Sequence, residues 1–331
     1  MALTAFGSDY VHVHNATKQT FESVKLALEK TYPKGWDVIG KNGMDYSIRL
    51  SDDPWLSDAG AGADGRRLFL ELFRCFAQGE FAYYCSADVV NNSSSETLFF
   101  VRGNNSGAVQ STSAEYCMLQ FSNRGRLRCL DCTNDAIVGL KRTLFNVHGE
   151  KCMRAEGAVH GAYELQVKGD PWPPATDIMF RLAQTMLFMG YRPKLGLKLG
   201  QSAQDICQLV FESCEQQTSS DAFALAPVQQ DTLKLLGANK GVANMVKALL
   251  QSRFPRGVTH ETTLPDGEVQ LGLKGRPFGG ASEADSVRWL LCVCCLAHEL
   301  HAKGWQQTAT FVGHNSKSTT ASDTMLFGRK Q

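Results

Sequence analysis

Long apolar runs are missing from this chain. The longest lies around WLLCVCCLA, Trp289 to Ala297. A membrane-crossing helix needs about 20 such residues, so no membrane insertion is expected and this run reads as a core helix. An excess of charge of one sign is also missing. Lys and Arg number 34 against 33 Asp and Glu, a formal net charge of +1, which argues against a strong polyanion binder. The opening stretch, MALTAFGSDYVHVHN, has no charged segment leading into an apolar core, so no secretory leader is expected. The 11 cysteines are an odd count. Without secretion they read as reduced thiols in a cytoplasmic or nuclear, reducing compartment. The sequon at Asn15 is then a chance match.

Familiar catalytic signatures are absent too. The chain has no P-loop, no G-x-G-x-x-G after a strand, no G-x-S-x-G and no paired zinc knuckles. No nucleophile, base and orienting group can be assembled from local sequence. A site built from distant residues stays open.

What is present is an ordinary globular balance, 43% hydrophobic and 20% charged, which implies packed cores. The 331 residues allow roughly two or three domains. A six-residue phrase then organises the chain: LSDDPW at 50–55, VKGDPW at 167–172 and LKGRPF at 273–278. The similarity spreads outward from it. DYVHVHNAT from Asp9 aligns without a gap on GRLRCLDCT from Gly125 and DTLKLLGAN from Asp231. Leu28, Leu144 and Leu250 share one position, as do Tyr32, His148 and Phe254. Each copy carries a second helix ending at a glycine: Gly79, Gly190 and Gly304.

The repeat length is roughly 105 residues, the size of a small domain and not of a solenoid unit. We therefore expect an α+β protein of three diverged copies, at 1–103, 114–213 and 221–331. The polar stretches GNNSGAVQSTS and EQQTSSD link them. Alternation in YVHVH and RLRCL suits strands with one covered face. Each copy reads as a ββαβαββ module, a mixed sheet with two helices packed on one face. In the helix FESVKLAL, Phe21, Val24, Leu26 and Leu28 form the expected apolar face.

The repeated phrase has a structural explanation. Tyr163, Leu165 and Val167 alternate with Glu164 and Gln166 into its middle copy. Gly169 permits a turn that a β-carbon would resist. Pro171 has no N–H to continue a ladder. Trp172 then plugs the gap between strand end and helix.

Three groups of residues could carry chemistry. Cys294, His298 and His301 share one helix face, with Cys295 beside them, and thiolate with imidazole suits zinc. Counted back from the terminal glycines, these positions match Phe69, Phe73 and Phe76, which favours a core or seam over a metal site. No cofactor is expected, with zinc the alternative. The pair Cys129 and Cys132 has C-x-x-C spacing, and Cys132 precedes a helix start that would lower its pKa. Apolar residues stand at the same places in the other copies, so both are expected as small core residues. Arg124, Arg126 and Arg128 line one strand face, and Arg128 aligns with His12 and Lys234. They are the candidate partner-binding residues, against the alternative of a solvated strand face that deters aggregation.

A non-catalytic interaction or adaptor protein with a protein partner is the favoured function, because the aligned positions are nearly all apolar, Gly or Pro and imply no shared chemistry. A thiol- or metal-dependent enzyme centred on the third copy is one alternative. Nucleic-acid binding on a sheet face is the other, and it needs exposed aromatics. One phenylalanine of LFFV, Leu98 to Val101, is a candidate.

Overall fold

The computed structural model describes residues 1–55, 60–78, 81–88, 96–102, 115–122, 125–169, 172, 176–197, 199, 205–214, 222–278, 283–313 and 322–329. The first module runs β1 (Ala2–Phe6), β2 (Tyr10–His14), α1 (Lys18–Thr31), β3 (Trp36–Asn42), β4 (Asp45–Leu50), α2 (Gly60–Gln78), β5 (Phe81–Asp88) and β6 (Glu96–Arg102). The second runs β7 (Tyr116–Ser122), β8 (Arg126–Leu130), α3 (Asn134–His148), β9 (Met153–Val159), β10 (Ala162–Val167), α4 (Thr176–Phe188), β11 (Tyr191–Leu197) and β12 (Asp205–Ser213). The third runs β13 (Ala222–Pro227), β14 (Thr232–Leu236), α5 (Lys240–Arg253), β15 (Val258–Thr263), β16 (Val269–Leu273), α6 (Glu283–Ala302), β17 (Trp305–Gly313) and β18 (Ser322–Arg329).

The chain is thus an α+β protein of three repeated modules. Each sheet has six strands, in the orders β3-β4-β2-β1-β6-β5, β11-β12-β7-β8-β10-β9 and β15-β16-β14-β13-β18-β17. Each module holds one strand more than the ββαβαββ pattern, namely β3, β9 or β15. That strand also settles the sheet type. The first and third sheets are antiparallel throughout, where a mixed sheet was expected. The missing strand explains the difference. A helix alone between β2 and β4 returns the chain parallel, whereas a helix plus β3 reverses it once more.

Contacts group the chain into two compact units. One comprises residues 1–133, 153–166 and 197–213, the other 134–152, 167–196 and 214–331. In the first unit α1 and α2 pack side by side. Phe21 of α1 stacks on Tyr46 of β4 with centroids 3.6 Å apart, and Phe76 of α2 meets Phe100 of β6 edge-on at 5.0 Å. The buried set of α1 is Phe21, Val24, Ala27 and Leu28. Leu26, expected there, is 65% exposed. Five residues from Phe21 is about 500° of helix, which turns it to the far side. In the second unit the third module has the same core: Val246, Leu250, Leu296 and Leu300 from its helices cover Leu233, Leu235, Leu271 and Met325 from its sheet.

The repeated phrase acts as a strand stop. Its turn residue is left-handed in every copy: Asp52 at φ 65°, Gly169 at 80° and Gly275 at 98°. Trp55, Trp172 and Phe278 are buried, and the Trp55 indole N–H donates to the Tyr10 carbonyl at 3.1 Å. Pro171 lies outside the described residues. Among the described residues no helix is long and apolar enough to cross a membrane.

Candidate functional site

A sheet needs only one face covered, yet two of these three sheets bury both. Every residue of β7, β13 and β14 is buried, and so are Ala2 to Ala5 of β1; the first module differs at β2, which alternates between buried and partly exposed positions. In each unit the second cover is the second helix of the preceding module.

In the first unit α2 lies against β7. Arg74 donates to the Tyr116 carbonyl at 2.6 Å and to Asp131 Oδ2 at 2.8 Å. Glu71 holds Arg74 from behind at 3.1 Å and also accepts from Lys30 at 2.6 Å. Arg67 donates to the Gly161 carbonyl, and Phe73 meets Tyr116 edge-on at 5.3 Å.

In the second unit α4 lies against β13. Asp177 accepts from Lys234 at 2.6 Å, and Glu268 lies 2.7 Å from the same ammonium. Gly237 sits beneath Phe180 and Gln184. A β-carbon there would stand 2.6 Å from Phe180 Cζ and 3.0 Å from Gln184 Nε2. The strand beneath is built from Ala222, Ala224 and Ala226, all buried. Small side chains let a helix approach closely.

The two joints use the same positions. Each second helix leads directly into a strand beginning at Phe81, Tyr191 or Trp305. Counting back from these, Arg74, Gln184 and His298 coincide. So do Leu70, Phe180 and Cys294, and so do Arg67, Asp177 and Leu291. The glycine-based alignment of α6 on Phe69, Phe73 and Phe76 was one residue out in the first module, where Glu80, not Gly79, matches Gly190. The sockets coincide as well. Asp131 and Gly237 follow the last residues of β8 and β14, and Asn15 follows β2. All are left-handed, at φ 54°, 67° and 54° for Asp131, Gly237 and Asn15.

The third copy of the helix face is uncovered. On α6, Leu291 is 63% and Val287 49% exposed, and Cys294, Cys295, His298 and His301 are exposed too. The expectation of a core or seam for these residues is corrected within this chain. The core side of α6 is Cys292, Leu296 and Leu300. Among the described residues, no three His, Cys, Asp or Glu side chains group closely enough to hold a metal ion.

The first copy of the sheet face is also partly open. Tyr10, His12 and His14 stack as a ladder with ring centroids 6.2 and 6.0 Å apart. His12 shares a hydrogen bond with Ser47 Oγ at 3.0 Å. Burial, and then His14, holds the His12 imidazole below its usual pKa. On the same face, across β1, Phe99 of β6 is half-buried and Val101 exposed, while Phe100 points the other way and is buried.

The basic strip departs from expectation. Arg124 lies outside the described residues, and Arg126 is half-buried. Arg128 is only 6% exposed and pairs with Glu164 at 2.8 Å. It occupies the position of Lys234 and His12, on the face that α2 covers in this unit. A buried, paired guanidinium is a structural group, not a free phosphate ligand.

The C-x-x-C pair behaves differently from two separate core residues. Cys129 and Cys117 are buried, and Cys132 is half-buried beyond the strand end. Hydrogen bonds from Cys117 and Cys129 draw the Cys132 thiol down to about 5 against the burial that opposes it. The same bonds, together with burial, push Cys117 and Cys129 well up. Cys117 comes from β7, so the spacing of Cys129 and Cys132 gave no sign of this third thiol.

A signal for the seams was present in the strands themselves. YCMLQFS and AFALAP are near-continuous apolar runs, the mark of strands covered on both faces, beside the alternating YVHVH.

One domain-family model matches the chain three times, over residues 1–102, 115–211 and 221–328. Comparison with curated proteins and with solved structures finds no match. The protein belongs to the family that this model describes and carries three copies of its domain.

Proposed function

We propose that this modular protein is a non-catalytic interaction protein of a reducing compartment, and that it binds protein partners through the outer faces of α6 and of β1–β2. The observation that carries this is the exposure of Leu291 at the helix position whose counterparts, Arg67 and Asp177, reach the next module, with Val287 exposed one turn before it. Exposed apolar residues at helical spacing on an otherwise polar surface are the mark of a binding face. Three linked modules also add weak contacts through effective concentration.

The nucleic-acid alternative draws on the Tyr10–His12–His14 ladder, since sheet-borne rings are stacking platforms. Burial of Arg128 and the near-neutral net charge weigh against it. The thiol- or metal-dependent alternative draws on Cys294 and Cys295 of the third module, both exposed.

The test is purification of the tagged chain from its native cells, with and without nuclease, beside a Leu291→Asp variant. A stoichiometric protein that resists nuclease and is lost with Leu291→Asp supports the interaction function. Partners lost with nuclease but kept by the variant contradict it.

A further inference from the structure

We infer that the partner of the α6 face is a second copy of this chain, bound head to tail through its β1–β2 face. This rests on the interaction function proposed above and names the occupant.

The argument is continuity of the joint. Twice in this chain a second helix covers the outer face of a neighbouring module's first strands, with matched helix positions and matched left-handed sockets. The covered faces share a layout. On the sheet, Arg128 and Lys234 stand where His12 stands; in the socket, Asp131 and Gly237 stand where Asn15 stands. The first module keeps this socket with its outer rungs accessible: His14 and Asn15 are exposed, and Tyr10 and His12 are half-buried. The third module keeps the docking helix with its knobs exposed: Leu291, Cys294 and His298. One end of the chain therefore presents the helix half of the joint, and the other end presents the sheet half.

The chemistry of the halves agrees. At the position of Arg74 and Gln184, which reach the socket in the other joints, α6 offers His298. Its ring nitrogens can pair with the Asn15 side-chain amide. At the position of Asp177, which meets Lys234, α6 offers Leu291. The strand residue opposite is His12, which burial already biases toward the neutral ring. An ion pair in one joint is thus matched by an apolar contact in the other. Arg49 and Asp9 flank the sheet face and pair with each other at 2.9 Å, and the Asp45 carboxylate accepts from the Asn15 backbone N–H at 2.8 Å, so the charges flanking this face already have partners. A contact between unlike faces is heterologous. It closes a ring or extends an open array, and it never makes a two-fold dimer of like faces.

Sedimentation of the full chain over a range of concentrations tests this, with two variants at exposed positions, Leu291→Asp on α6 and His14→Glu on β2. The wild type gains mass as concentration rises. Each variant alone weakens association by at least about tenfold. Mixed one to one, the variants form a dimer and stop there, because each supplies the half the other lacks. Circular dichroism confirms that both variants are folded. A wild type that stays monomeric at every concentration overturns the inference. So does an oligomer that either variant leaves intact. A monomer that still captures a different protein through Leu291 overturns self-association while the interaction function stands.

Discussion

Arg74 on α2 and Asp131 beyond β8 are joined at 2.8 Å, although 57 residues separate them in the chain. The same guanidinium caps the Tyr116 carbonyl at the start of β7. One side chain therefore fixes the helix of the first module to both strands of the next. Replacing Arg74 by Ala strands a carbonyl and a carboxylate in a half-buried seam, at a cost of about 1–3 kcal/mol. The urea midpoint of the purified chain should fall accordingly. An unchanged midpoint would mean that the seam is held by its apolar contacts alone.

Glu71 couples that seam to acid. Burial alone would raise its pKa, but Lys30 and Arg74 overcome this and hold it below the usual carboxylate range. A depressed carboxyl stabilises the fold above its unfolded pKa, about 4.3, and loses that contribution as pH falls through the folded value. Glu71→Gln should therefore be less stable than wild type at pH 7, and the gap should close below about pH 4. Thermal melts of both proteins across pH would show the convergence; parallel curves would count against it.

The second seam depends on an absent side chain. Gly237 is left-handed, and a β-carbon there would run into Phe180. Gly237→Ala should cost about 1–3 kcal/mol from strain and overlap together. The reverse change at the open counterpart, Asn15→Gly, meets no neighbouring helix and should shift stability by less than about 1 kcal/mol. Equal effects at the two sites in thermal denaturation would contradict the packing described for α4.

Cys132 should be the thiol that ionises early. With Cys117 and Cys129 as its donors its pKa is drawn well below that of an ordinary thiol, so its thiolate share at pH 6 should exceed that of an ordinary thiol, which is almost wholly protonated there. Peptide mapping after brief alkylation at pH 6 should find Cys132 labelled. Cys117→Ser or Cys129→Ser exchanges an S–H donor for an O–H donor and should change that rate. Labelling at pH 6 that ignores both replacements would dissolve the proposed cluster.

Much of the fold could be read from the sequence, because its repeated positions are those a core demands. Leu28, Leu144 and Leu250 are fully buried, and the strand-stopping phrase ends in a buried Trp or Phe. The strands β3, β9 and β15 could not be read. WDVIGKN, MRAEGAV and VTHETT are edge strands with mostly exposed residues, so no face imposes alternation. Missing them cost the antiparallel topology as well. The seams were harder still. Their matched positions hold Arg67, Asp177 and Leu291, or Asn15, Asp131 and Gly237, residues of unlike chemistry that share only a place. Repeat alignment rewards identity, and these interfaces diverged while keeping their geometry. The α6 face was visible as a Cys/His stripe. Its meaning came from the exposure of Leu291 at a position whose counterparts in α2 and α4 are docked.

The central claim is that the α6 and β1–β2 outer faces are the two halves of one docking joint. Hydroxyl-radical footprinting of the full chain at rising concentration tests it most directly, because it reads side-chain access residue by residue. Leu291 and His298 should lose reactivity in step with Tyr10 and His14, while Leu26, 65% exposed on α1, keeps its rate. Protection of one face without the other, or of neither, would contradict the claim.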